Sequence, residues 1–486
     1  MFSELRRVVP EAEFRPYFAD EENLRAAALA PFNRYLSVET PDRASAAIVV
    51  SRLETLDLVE AAYVEGGPVP PPVNPADDGR SKDQGYLSAA PAGIDARWTW
   101  SLTDGAGIRF VDLERGWTLD HEDLAAAKIT LISGVSTDYH GHGTAVLGEV
   151  LAVDNAVGDV GIAPGAAGRV VSQWRDPASY NSAAAILSAA QAMSAGDVLL
   201  LEAQTRIGDW ENMPVEVETA VFDAIRHAAD AGIIVIEAGG NGGHDLDTFQ
   251  DSANRNVLNR QSPDFRDSGA IMVGAASSTV PHSRLNFSNH GSRIDCYGWG
   301  NNIDTTGDGW QGTSTTEYTP KFSGTSGASP IVAGAAVLLQ SWRKSQDGQV
   351  FHPQGLRNMM SSPTLNTASA NPPGDRIGVM PDLRAILIDQ SLRVKNEKYV
   401  SLVYILFGLI DNSPGKVWIP GRGPVPVDPG WLALVRGITA PQRDLLAALA
   451  VNEIAQIIED PDARAKMANA ATDAMHAAVD RIARIR

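Results

Sequence analysis

Apolar positions along the chain change their spacing three times, and each change marks a different kind of element. Between Arg34 and Val64 the pattern reads strand, helix, strand. Leu36 and Val38 alternate on one side of "RYLSVET"; Thr40-Pro41 then supplies an N-cap with proline at the first helical position. Val49, Leu53 and Leu56 fall on one helical face, and "LVEAAYV" reads as the second strand. The spacing predicts a small α+β domain over 1–65 with a modest core. The proline density of "GGPVPPPVNPADDGR" opposes regular structure and predicts an exposed, semi-rigid linker over 66–91.

From about Gly105 short β-branched runs alternate with alanine-rich helical segments. "GIRFV", "KITLI", "RVVSQW", "DVLLLEA", "GIIVIEA" and "GAIMVGA" read as strands, with "SAAAILSAAQAMSA" and "EVETAVFDAIRHAADA" as the clearest helices between them. Continuous rather than alternating apolar strands separated by helices predict a parallel sheet covered on both faces, spanning 92–390. Ligand sites in such sheets gather at the carboxyl ends of the strands. Past Ser391 the pattern turns to Ala/Leu-rich helices, predicting a helical domain over 391–486. "TAPQRDLLAALAVNEIAQII" opens with Thr439 and Gln442 at capping-box spacing, and "DPDARAKMANAATDAMHAAVDRIARI" opens with Asp460-Pro461. Two such helices suit packing on the main body or on a partner protein.

Length and charge narrow the partners. A chain of 486 residues is too long for one ordinary core. The formal net charge of -19 argues against a nucleic-acid backbone or an anionic membrane, both of which need a basic footprint. The most apolar run, Tyr399 to Ile410, is shorter than the ~20 residues of a membrane span and reads as a buried helix or strand. The N-terminus lacks the apolar run of a secretory signal, so the expected compartment is the cytoplasm. Cys296 is the single cysteine, which excludes an internal disulfide framework, and it reads as a small buried hydrophobe.

Three strand or helix boundaries carry chemistry. "GIRFVDLERGW" delivers Asp112 directly after an apolar strand, "DYHGHGTAVLGEVLAV" places His142 before an apolar helix, and "KFSGTSGASPIVAG" places Ser326 before another. A serine is a poor nucleophile until a base takes its proton, and an imidazole base needs a carboxylate to fix its tautomer. Singly, each residue has a plainer reading: Asp112 or Ser326 as a cap, Asn241 as a turn residue. His140 and His142 lack the neighbouring carboxylates or cysteines of a zinc site.

Taken together, these motifs resemble the subtilisin-like (subtilase, S8) serine peptidases over about Ala92 to Ile388. The order Asp, His, Ser, the His-Gly-Thr run from His142 to Thr144 and the Gly-Thr-Ser-x-Ala-Ser-Pro run from Gly324 to Pro330 carry the likeness. The resemblance implies a three-layer α/β domain with a mostly parallel central sheet, flanked by a small propeptide-like α+β domain and a helical C-terminal extension. It implies a serine endopeptidase in which Asp112 orients His142, His142 activates Ser326, and Asn241 of "EAGGNGG" joins the Ser326 N–H as oxyanion donor. The substrate would be a protein or peptide, bound along Leu201, Glu202, Ala203 and Gln204 and along Ala238, Gly239 and Gly240. Relatives commonly have Ser-Leu-Gly where Glu202, Ala203 and Gln204 stand. Glu202 either favours a basic residue before the scissile bond or faces away from the cleft.

Gly327 stands where relatives usually carry methionine, a departure that predicts a looser nucleophile turn. Catalysis would need no cofactor. "AVDNAVGDVGIAP" resembles the family's calcium loop, with Asn155 and Asp123 at ligand positions; a structural calcium and an empty loop held by its own hydrogen bonds are both open. The N-terminal domain would act as chaperone and inhibitor, cleaved or retained. The contrasting expectation is a silent or autoinhibited binding module that docks a partner through its C-terminal helices.

Overall fold

The protein is described here from a computed structural model. It covers residues 73–391 throughout, the strands Lys416–Ile419 and Gly423–Pro426, and parts of 5–62. The two helices expected after Ser391 and the apolar run from Tyr399 lie outside the described residues, but the region expected to be helical over 391–486 contains an antiparallel strand pair, Lys416–Ile419 with Gly423–Pro426, which corrects the all-helical expectation. The chain divides into two compact units, Met1–Pro71 and Pro72–Arg486.

In the first unit β1 (Phe14–Pro16) pairs antiparallel with β2 (Leu36–Val38), and α1 spans Arg43–Leu53. Leu5, Val9 and Phe14 form its core, with Leu36, Val38, Val49, Leu53, Leu56 and Val59 packed against them. The helix face thus buries as its spacing predicts. The second strand expected over 58–64 is not seen at the described positions 58, 59 and 62, and the partner of β2 comes from upstream instead.

The second unit is built on a nine-stranded sheet. Its strands in chain order are β3 (Arg109–Glu114), β4 (Thr130–Leu131), β5 (Ala167–Ser172), β8 (Val198–Leu201), β11 (Ile234–Ala238), β12 (Ile271–Ala276), β13 (Cys296–Trp299), β16 (Thr367–Ala368) and β17 (Val379–Met380). Across the sheet the order is β16-β17-β13-β12-β11-β8-β3-β5-β4, parallel except for the β16–β17 pair. Hairpins β6–β7 (Trp174–Asp176, Ser179–Tyr180), β9–β10 (Gln204–Ile207, Trp210–Pro214) and β14–β15 (Ile303–Thr306, Tyr318–Phe322) stand outside it.

Among the described residues the longer helices that cover the sheet are α2 (His140–Leu151), α3 (Ser182–Gln191), α4 (Thr219–Asp230) and α5 (Thr325–Asp347). Alternation along the strands sorts the two faces. Val111, Leu113, Leu199, Leu201 and Val235 pack with α3 and α4, whereas Phe110, Leu200 and Ile236 pack with α2 and α5. Cys296 is buried within β13.

The expected linker needs correction. Ser81–Asp83 and Gly85–Leu87 form short 3-10 turns, Tyr86 and Leu87 are fully buried in the α2/α5 core, and Arg80 pairs with Asp304 at 2.7 Å. Proline keeps a segment out of a hydrogen-bonded ladder; it does not keep the apolar residues that follow out of a core.

Candidate active site

Strand β3 sends Phe110, Asp112 and Glu114 toward the α2/α5 layer, so the two acids share a face two residues apart. The structure assigns them different surroundings. His142, in the first turn of α2, sets its Nδ1 in direct contact with Glu114 Oε1. Asp112 lies deeper, where its Oδ2 accepts from Trp117 Nε1 at 2.7 Å and its Oδ1 has no hydrogen-bond partner. The residue that meets the imidazole is therefore Glu114, and the sequence assignment to Asp112 is corrected. Alternation alone cannot separate the two acids. The distinguishing signal was position, since Glu114 is the acid nearer the carboxyl end of the strand and has one more methylene of reach.

Electrostatics separates them further. Burial pushes the Asp112 carboxyl well above the ordinary range, and the nearby Glu114 charge adds to the push. For His142, burial works against the charged ring. The charge and hydrogen bond of Glu114 outweigh it, with Arg115 opposing, so its pKa stands above the usual histidine value. Phe322 and Trp310 pack on the ring, with centroids at 5.3 and 5.2 Å. Trp310, on the β14–β15 loop and 53% exposed, had no signal in its local sequence.

Ser326 occupies the second position of α5 behind Gly324, whose φ of 101° is a left-handed value that glycine supplies without strain. Pro330 lacks the N–H that would bind the Ser326 carbonyl, which loosens the helix at the serine. Asn241 follows β11. Its Oδ1 accepts from the Thr325 N–H (2.9 Å) and Thr325 Oγ1 (3.1 Å), which fixes the amide. A methyl group placed on Gly324 would lie 3.5 Å from Asn241 Nδ2, Asn241 Oδ1 and the Ser326 nitrogen, so the amide and the Ser326 N–H are close neighbours; Nδ2 itself donates to Gln204 Oε1 at 3.4 Å.

Glu114, His142, Asn241 and Ser326 line one cleft, together with Glu202, Ala203, Gln204 and Ala238. The other three residues expected to bind substrate lie elsewhere. Leu201 is fully buried among the α3/α4 contacts because alternation turns it to the opposite face. Gly239 donates to Val273 O, and Gly240 donates to Thr325 Oγ1 with φ 89°, so these glycines shape the turn beneath the cleft. Gly327 leaves no gap: a Cβ there would meet Ile303 Cδ1 at 2.3 Å, so isoleucine fills the space behind the nucleophile. The looser turn expected from Gly327 is corrected accordingly.

Both residues expected to hold calcium accept from the loop's own backbone, while Asp123 Oδ1 is buried with no hydrogen-bond partner. Asp123 Oδ2 accepts from the Asp159 N–H (2.8 Å), and Asn155 Oδ1 accepts from the Val157 N–H (2.8 Å). The Arg80 guanidinium stands 3.8 Å from Asp159 and pairs with Asp304.

A family model, Peptidase_S8 (Subtilase family), matches residues 133–379. That span, half of the chain, takes in His142, Asn241 and Ser326, and starts after β3. Subtilisin DY of Bacillus licheniformis is 31% identical over 266 residues, which cover 54% of this chain and 85% of that one. An intracellular serine protease of Paenibacillus polymyxa is 28% identical over 275 residues, covering 53% and 75%. Among solved structures, the prenylagaramide maturation protease PagA is 22% identical with a TM-score of 0.45, covering 60% of this chain and 97% of its own. The chain belongs to the subtilase family and is a subtilisin-like serine endopeptidase.

Proposed function

We propose that this chain hydrolyses peptide bonds through Ser326, His142 and Glu114, with Asn241 and the Ser326 N–H as oxyanion donors. The observation that carries the reading is the contact of Glu114 with His142 Nδ1 in the cleft shared by Ser326 and Asn241. Glu114 accepts from Nδ1–H and thereby leaves the Nε2 lone pair free to take a proton. Ser326 Oγ attacks the carbonyl carbon as its proton passes to His142 Nε2. The carbonyl electron pair moves to oxygen, where Asn241 Nδ2 and the Ser326 N–H, both in the cleft lining, would donate to it. Collapse breaks the C–N bond, and His142 returns the proton to the departing amine. Water then repeats the sequence on the acyl-serine and releases the acid.

Regulation by the N-terminal unit belongs to this reading, supported by its separate core. So does a cytoplasmic site of action, in keeping with the relative named an intracellular serine protease. The test is labelling of full-length protein with a fluorophosphonate probe beside Ser326→Ala and His142→Ala, with intact mass recorded before and after. Labelling of wild type alone supports the triad, and loss of an N-terminal fragment supports processing. Wild type that stays unlabelled and full length defeats the reading in favour of a binding module.

A further inference from the structure

Glu202 stands one register step from Glu114. Leu201 is opposite Leu113 in the parallel β3–β8 pair, and the Glu202 N–H donates to Leu113 O at 3.1 Å, so the two glutamates leave adjacent strands on one face. Glu202 is 6% exposed, lines the cleft beside Ser326 and His142, touches Ser329 Oγ with Oε1, and has no hydrogen-bond partner for Oε2.

Ser329 Oγ has one proton and two acceptors within reach, Glu202 Oε1 and, at 2.7 Å, the Thr325 carbonyl oxygen, which can only accept. An ionised Glu202 would leave the two acceptors competing for that single proton. A protonated Glu202 would donate to Ser329 Oγ and leave the hydroxyl proton to Thr325, so that both contacts are satisfied.

We infer that Glu202 is held as a neutral carboxylic acid, a positioning residue that leaves Glu114 as the carboxylate charge on His142 and whose ionisation suppresses turnover at alkaline pH. This inference rests on the peptidase reading of the same cleft. The ionisable groups facing Glu202 are Asp112 and Glu114 from β3 and His142 and Glu149 from α2, with Arg115 acting on His142 from the turn after β3. Burial raises the Glu202 pKa well above the usual range; the charges of Asp112 and Glu114 add to this and His142 opposes it. Glu149, also fully buried and without hydrogen-bond partners, is raised by burial and then by Glu202 and Asp159. An ionised Glu202 would place a second negative charge in the cleft that Asn241 and Ser326 line, opposing a transition state that develops negative charge there.

The experiment compares kcat/KM on one fluorogenic peptide from pH 6 to 10 for full-length wild type and Glu202→Gln, whose amide can donate to Ser329 Oγ but cannot ionise. The ratio of variant to wild type is expected to rise by roughly tenfold or more between pH 7 and pH 10. The wild-type-minus-variant infrared spectrum at pH 7 is expected to show a protonated-carboxyl band, shifted in Ser329→Ala, where the acceptor is gone. A flat or falling ratio, or the absence of that band, overturns the proposal. Failure of the peptidase reading itself is read separately, as absence of fluorophosphonate labelling in wild type with the infrared band still present.

Discussion

Replacing Glu114 by glutamine tests the assignment of the triad acid most directly. The variant keeps the size of the side chain and removes its charge. An amide that turns its NH2 toward His142 Nδ1 forces the ring proton onto Nε2, where the imidazole can no longer accept the proton of Ser326. One that turns its oxygen leaves an imidazolium without its counter-charge. Loss of the carboxylate from a triad of this kind costs about 10^4 in kcat, or about 5.4 kcal/mol at 1.36 kcal/mol per tenfold. Asp112→Asn should stay within about tenfold of wild type, because an asparagine oxygen can still accept from Trp117 Nε1 and burial already disfavours the charge that the substitution removes. Rates would be measured on a fluorogenic peptide over a range of pH. They would be normalised to folded protein, since breaking a buried charge pair can itself cost about 3–5 kcal/mol of stability. Catalysis needs neutral His142, whose pKa is held above the ordinary 6.5 against the effect of burial by Glu114, so the acidic limb of wild type should lie above 6.5 and move down in Glu114→Gln. A collapse in Asp112→Asn beside a nearly active Glu114→Gln would refute the reasoning.

Asn241→Ala should lose about 2.7–4 kcal/mol of transition-state stabilisation, seen in kcat rather than KM; a change confined to KM would show that its amide serves ground-state binding. Gly327→Met should destabilise by about 1–3 kcal/mol through overpacking against Ile303, and adding Ile303→Ala should recover part of that loss in thermal unfolding. Additive losses would mean that the two positions do not compete for one space. Asp159 is raised to about 8 by burial and then by the charge of Asp304, against the opposing charge of Arg80. A carboxyl whose folded pKa exceeds its unfolded value binds more protons when folded, so its contribution to stability declines as pH rises from about 4 to about 8 and is constant above that. Asp159→Asn should flatten that decline, read as Tm against pH, and an unchanged slope would count against it.

Between 105 and 390 the sequence by itself determined most of the strands of the sheet and the helices between them, and it singled out three residues that line the cleft. Continuous apolar runs such as Val198–Leu201 can be stable only when buried on both faces, and that demand makes the parallel sheet between helix layers legible without coordinates. His142, Asn241 and Ser326 were readable because each sits in a short run whose local geometry is set by its own neighbours, such as Gly324 at φ 101°. The rest depended on distance between residues far apart in the chain. Asp112 and Glu114 share a strand face, and only the docking of α2 onto β3 decides which of them meets His142. The filling of the Gly327 gap by Ile303, the approach of Arg80 to Asp159 and the contact of Glu202 with Ser329 are likewise tertiary facts. Alternation specifies the face on which a side chain emerges, while the partner it finds there is specified by the packing of other elements. Charge and volume in a buried site are satisfied between elements, and no local stretch of sequence carries that information.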